Sequence, residues 1–169
     1  ISLPDRSPDP ENGSTKPASP LDAAITQIKL ADRSFDEEGF VSGARVAFEM
    51  VVDSFANGDT DTLRSLLSDD VYENFAAAIR DRVSKDQTHE TTMVGFDVTE
   101  IIEAEMEGRN ALVTVKYVSD QVNVTRDSEG EIVDGDPSAV TRITDIWTFA
   151  RDVSSSNPNW VLIATRSPN

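Results

Sequence analysis

The stretch Val94-Gly-Phe-Asp-Val-Thr-Glu-Ile-Ile-Glu-Ala-Glu-Met106 decides the fold. Val94, Phe96, Val98, Ile102, Ala104 and Met106 fall on alternate positions, interrupted only by Glu100, while Asp97, Thr99, Glu103 and Glu105 take the opposite face. A period of two marks a strand with one face buried, and the length of the run makes it a long one. Gly108-Arg-Asn110 then forms a turn into a second strand, with Ala111, Val113, Val115 and Tyr117 on one face. Beyond Tyr117 the apolar residues switch phase to Val118, Val122 and Val124, which predicts a bulge or bend near Ser119 in a strongly curved sheet. The polar residues 126–138, with Gly130, Gly135 and Pro137, read as a connection between antiparallel strands. Val140 to Arg151 and Trp160 to Thr165 supply the third and fourth strands.

Upstream of Thr88 the period is 3.6 instead. Ser34-Phe-Asp-Glu37 has the form of a capping box and precedes a stripe of Phe40, Val41, Ala44, Phe48, Val51, Val52 and Phe55, closed by Gly58. Asp59 caps a short helix through Leu63, Leu66 and Leu67, and Ser68 caps another that carries Val71, Tyr72, Phe75, Ile79 and Val83. Before these, Leu21, Ala24, Ile25, Ile28 and Ala31 predict a short amphipathic helix that packs on the body of the domain or, as the alternative, docks on a membrane or partner. Residues 1–20 hold five of the eight prolines and no apolar periodicity, as a linker would. The expected organisation is a Pro-rich linker at 1–20, a short helix and connection at 21–38, and an α+β domain at 39–169. In that domain the long helix lies in the concave face of a curved antiparallel sheet.

The 169 residues include 15 basic and 31 acidic side chains, a net charge of −16, which argues against a phosphate backbone as partner. A hydrophobic fraction of 38% is enough to build a core. The chain has no cysteine and one histidine, His89, so thiol chemistry and multi-histidine metal sites are excluded. No apolar run is long enough to span a bilayer.

Four blocks carry a family resemblance: Gly43-Ala-Arg-Val-Ala-Phe-Glu-Met50, Leu66-Leu-Ser-Asp-Asp-Val-Tyr-Glu-Asn-Phe75, Asp145-Ile-Trp-Thr-Phe-Ala-Arg-Asp152 and Asn159-Trp-Val-Leu162. Together they resemble the Tim44-like domain family, relatives of the mitochondrial import-motor tether, and most of all its alphaproteobacterial members, which are described as adaptor proteins. The resemblance implies a nuclear-transport-factor-two-like cone. It also implies a non-enzymatic adaptor at the cytoplasmic face of the bacterial inner membrane, with a partner of the translocon or chaperone class. The start at Ile1, with the Pro-rich stretch after it, leads to the expectation of an upstream membrane anchor. Residues 39–169 keep 11 basic against 23 acidic residues, so anionic lipid would repel the domain itself, although Arg80, Arg82 and Lys85 lie close together.

Phe48, Val52, Phe55, Tyr72, Phe96, Trp147 and Trp160 are expected to converge on the inside of the cone, where a pocket opens at the wide end. Asp145 shares its face with Ile143, Trp147 and Phe149, and a carboxylate on an apolar face needs a partner or a raised pKa. The tentative pocket is therefore Phe48, Val52, Phe55, Tyr72, Phe96, Asp145 and Trp147. The alternative function is a small-molecule-binding or isomerase-like enzyme with Asp145 as base and Tyr72 or Tyr117 as hydroxyl donor. His89, in a polar stretch, reads as a solvated strand-start residue. Asp127, Glu129, Glu131, Asp134 and Asp136 lack the Asp-x-Asp-x-Asp-Gly order of a calcium loop and read as a charged hairpin. No metal and no cofactor is expected. A homo-oligomer through the outer face of the sheet stays open, although Thr99, Glu103 and Glu105 make that face polar.

Overall fold

The computed structural model describes residues 19–168, so most of the Pro-rich stretch expected to be a linker lies outside the described residues. Helices come first: α1 (Pro20–Ala31), α2 (Glu37–Asn57), α3 (Thr60–Leu66) and α4 (Asp69–Ser84). Five strands follow: β1 (Thr88–Glu107), β2 (Asn110–Arg126), β3 (Ile132–Gly135), β4 (Thr141–Asp152) and β5 (Val161–Arg166). They form one antiparallel sheet in the order β1-β2-β4-β5, with β3 paired to the end of β2. Sheet and helices share one core, in which Phe48 of α2 lies against Tyr117 and Trp147 of the sheet at ring-centre distances of 4.4 and 4.6 Å.

The cap of α2 differs from the expected capping box. The Ser34 hydroxyl donates to Asp32 at 2.6 Å, and Asp36, in extended backbone, becomes the cap by accepting from Gly39 N–H at 2.8 Å. Phe35 before the cap then packs on Phe40 in the first turn, 5.7 Å between ring centres, a hydrophobic staple that sets where the chain enters the helix. Gly58 ends α2 with φ of 70°, and Asp59 and Ser68 cap α3 and α4 as their spacing predicts. Val83, expected on the inner face of α4, is 64% exposed because the last turn of that helix runs past the core. The second helix carries no basic residue in its last turn. Arg82 of α4 supplies the charge, donating to the carbonyls of Phe55 and Ala56 at 2.8 and 3.2 Å.

On α1, Ile25 and Ile28 are buried and the helix lies against β1. Its far end is held through Asp32. One carboxylate oxygen accepts from the Ser34 hydroxyl and the Ser34 backbone N–H, and the other pairs with Arg151 of β4 at 2.6 Å. The hydroxyl bond, the N–H bond and the guanidinium together keep Asp32 below the usual carboxylate range.

The curvature arises in β1 rather than β2. Twenty residues of β1 pair with seventeen of β2, and Val94, Asp97 and Ile102 are left without a partner at three register shifts. Each shift resets the alternation, so Met93, Phe96, Ile101, Ala104 and Met106 face the core, while Val94, expected inside, is 55% exposed. In β2 the phase never switches. Ala111, Val113, Val115, Tyr117, Ser119 and Gln121 are all buried along one face, and the bulge expected near Ser119 sits opposite it, at Asp97. The connection at 126–138 contains β3, where Gly135 adopts φ of 87° and a side chain would run into the Asn123 carbonyl.

Candidate ligand pocket at the wide end of the cone

Beyond Tyr117 the inner face of β2 turns polar. Direct pairing places His89, Thr91 and Met93 of β1 opposite Thr125, Asn123 and Gln121 of β2, and Tyr117 and Ser119 opposite Asp145 and Ile143 of β4. Paired residues share a face, so these side chains line one end of the concave surface. Val51, Val52 and Phe55 of α2 and Asn74, Phe75 and Ala78 of α4 close over them, leaving a pocket of about 440 Å³.

The polar groups form a chain with a fixed direction. Thr91 donates to Asn123 Oδ1 at 2.6 Å, Asn123 donates to Gln121 Oε1 at 3.0 Å, and Gln121 donates to the Ser119 hydroxyl at 2.9 Å. His89 Nε2 lies 3.3 Å from the same Asn123 oxygen, which only accepts, so the neutral ring carries its proton on Nε2. Nδ1, 3.0 Å from the Thr125 hydroxyl, is then the acceptor. Ser119 and Gln121 are almost fully buried, and these mutual bonds are what makes their burial tolerable.

Asp145 stands apart from this chain. Among the described residues its carboxylate makes no hydrogen bond and no ion pair, and burial alone pushes its pKa up to about 6. The neighbouring Tyr117 hydroxyl donates to the Ala44 carbonyl of α2 at 2.7 Å, and burial, with the Asp145 charge second, raises it above the usual tyrosine range. Tyr117 therefore clamps helix to sheet and offers Asp145 no proton.

Of the residues expected to line the pocket, Val52, Phe55, Asp145 and Trp147 meet there. Phe48 lies in the core beneath it. Phe96 sits under the Arg45 guanidinium at 4.5 Å beside a separate shallow depression, and Tyr72 is covered by Arg64 at 4.0 Å. His89, expected to be solvated, packs edge-on against Phe55 at 6.5 Å and is part of the lining. Thr91, Gln121 and Asn123 were not foreseen. Their signal was present in the departure of the apolar residues from the inner face after Tyr117.

A larger pocket of about 580 Å³ lies at the other end of α2, among Phe35, Phe40, Phe149, Trp160 and the Asp32–Arg151 pair. Its charged groups are already matched, because Arg151 also donates to the carbonyls of Asn157 and Ser155. In the acidic hairpin, Asp127 accepts from the backbone N–H groups of Glu129 and Glu131. Among the described residues there is no group of three metal-ligating side chains, and no helix is long and apolar enough to cross a membrane.

These features define an α+β cone: helices in a curved antiparallel sheet, with a half-open pocket between long helix and sheet. The chain belongs to the Tim44-like domain family, whose model matches residues 21–167. It is 22% identical over 136 residues to the probable mitochondrial import inner membrane translocase subunit tin-44 of Caenorhabditis elegans, covering 79% of this chain and 32% of that protein. With the mitochondrial import inner membrane translocase subunit TIM44 of Homo sapiens it shares 22% identity over 139 residues, 82% of this chain and 31% of the relative. The chain thus spans about a third of the length of these relatives. Among solved structures, the intermembrane space region of the chloroplast protein ARC6 superposes with a TM-score of 0.54 at 11% identity, covering 79% of this chain and 96% of that one, a likeness of fold alone. The nuclear-transport-factor-two-like cone expected from the sequence is the fold of this chain.

Proposed function

We propose that this chain is the cone domain of a non-enzymatic, membrane-tethered adaptor for protein translocation or membrane-protein assembly, which presents its surface to a protein partner of the translocon or chaperone class. Membership of the Tim44-like family carries the proposal, since its curated relatives are named as subunits of an inner-membrane translocase. In this reading the adaptor works at the cytoplasmic face of a bacterial inner membrane, residues 1–20 serve as the linker, and a segment preceding them provides the anchor. The net charge of −16 favours such a tether over direct contact of the domain with anionic lipid.

The geometry around Asp145 favours an adaptor over an isomerase-like enzyme. A base that abstracts a proton beside a carbonyl needs a donor to stabilise the oxyanion. Of the two tyrosines considered for that role, Tyr117 is bonded to Ala44 and Tyr72 lies outside the pocket lining.

Site-specific photo-crosslinking tests this directly. A photoreactive residue replaces Val46, 54% exposed on α2, in the full-length protein, and membranes are irradiated. The expected result is a discrete adduct with a membrane or chaperone protein, while an adduct at twice the protomer mass would identify a second copy instead. An adduct pattern no different from that of an unrelated acidic protein would sink the proposal.

A further inference from the structure

We infer that the wide-end pocket is a binding site for a small organic ammonium ion, a primary amine on a short apolar stem, with Asp145 as its counter-ion. The inference is independent of the adaptor proposal.

Asp145 is the only carboxylate among the described residues of the pocket lining, which include no lysine or arginine. The carboxylate is half-buried, and no group among the described residues answers it by hydrogen bond or ion pair. This is unlike two other recessed ionic groups among the described residues. Asp32 has Ser34 and Arg151, and Arg82 has two carbonyls. A desolvated carboxylate facing a cavity gains most from a charge-assisted N–H donor that enters the cavity.

The walls suit the rest of such a guest. Phe55 and Trp147 add aromatic surface to the same lining, which favours a cation over a neutral donor. Val52, Ala78 and Ile143 give an alkyl stem an apolar lining. The amides of Gln121 and Asn123 each donate within the polar chain, which fixes two reporter groups in the wall of the pocket. An anion finds no matching charge here.

The test is titration of the folded 169-residue chain with butylammonium chloride, followed by NMR of the side-chain amides of Gln121 and Asn123. Sodium chloride and butanol serve as controls. At pH 7.5 we expect saturable shifts at both amides with butylammonium alone, and at least tenfold weaker binding to Asp145→Asn. Because Asp145 titrates near pH 6, the wild-type affinity should also fall at pH 5. The titratable groups facing it are His89 from β1 and Tyr117 from β2; α2 and α4 bring none to the lining. His89→Gln, which removes the imidazole from the lining, should keep this pH dependence, and its loss in that variant would overturn the role given to Asp145. No saturable shift, equal binding to Asp145→Asn, or equal binding of butanol would each overturn the inference.

Discussion

Asp145 is the residue at which stability and chemistry meet. Its carboxyl has a pKa of about 6 in the folded chain against an ordinary value of 3.8. The folded state therefore holds its proton more tightly than the unfolded state. Stabilisation from the neutral carboxyl is fully present below pH 4 and is lost as pH rises to 6. Allowing for solvent that reaches the pocket, the loss amounts to about 1–2 kcal/mol by pH 7.5. We predict that Asp145→Asn raises stability by that amount at pH 7.5 and by much less at pH 4. Urea unfolding of both proteins at the two pH values measures it, and contributions from groups common to both cancel in the difference. The inward aim of Asp145 was legible from simple alternation along Ile143, Asp145, Trp147 and Phe149. Its isolation was not, because which acceptor the Tyr117 hydroxyl serves depends on where α2 crosses the sheet.

At the scale of elements, the join between α2 and α4 rests on Arg82. Its guanidinium lies 5.1 Å from the centre of the Phe55 ring while donating to two carbonyls at the helix end. Arg82→Ala is expected to destabilise the domain by about 2 kcal/mol, and Arg82→Lys to recover less than half, since an ammonium lacks the planar fork. Thermal or urea unfolding checks both. The pairing of β3 with β2 depends on Gly135, where any side chain meets the Asn123 carbonyl. We predict that Gly135→Ala releases β3 locally, so the amides of residues 132–135 lose hydrogen-exchange protection while β1 and β4 keep theirs.

The helices were legible element by element because caps and 3.6-residue stripes are local signals. Capping at Asp36 rather than Ser34 was not, because Asp32 competes for the Ser34 hydroxyl only once Arg151 holds it in place. In β1 the long alternating run announced a strand. Its three bulges were hidden, since two apolar residues side by side, Ile101 and Ile102, fit either phase. In β2 the apolar residues change face because the inner face turns polar at the pocket, and the sequence pattern alone cannot separate that from a bend.

For the whole molecule, acidity and architecture point the same way. The chain's net charge of −16, with 11 basic against 23 acidic residues in 39–169, gives little attraction for anionic lipid, in line with the proposed reading that a tether and contact with protein do its work. Its own hydrogen bonds bind Tyr117 to α2, and Asp145 has no hydrogen-bond or ion-pair partner among the described residues. The most direct test is transport of a reporter precursor by membranes from cells depleted of the full-length protein, then supplied with wild type or with Asp145→Asn. The account predicts that depletion lowers transport and that both proteins restore it equally. Undiminished transport on depletion, or failure of Asp145→Asn to restore it while remaining folded, would contradict the account.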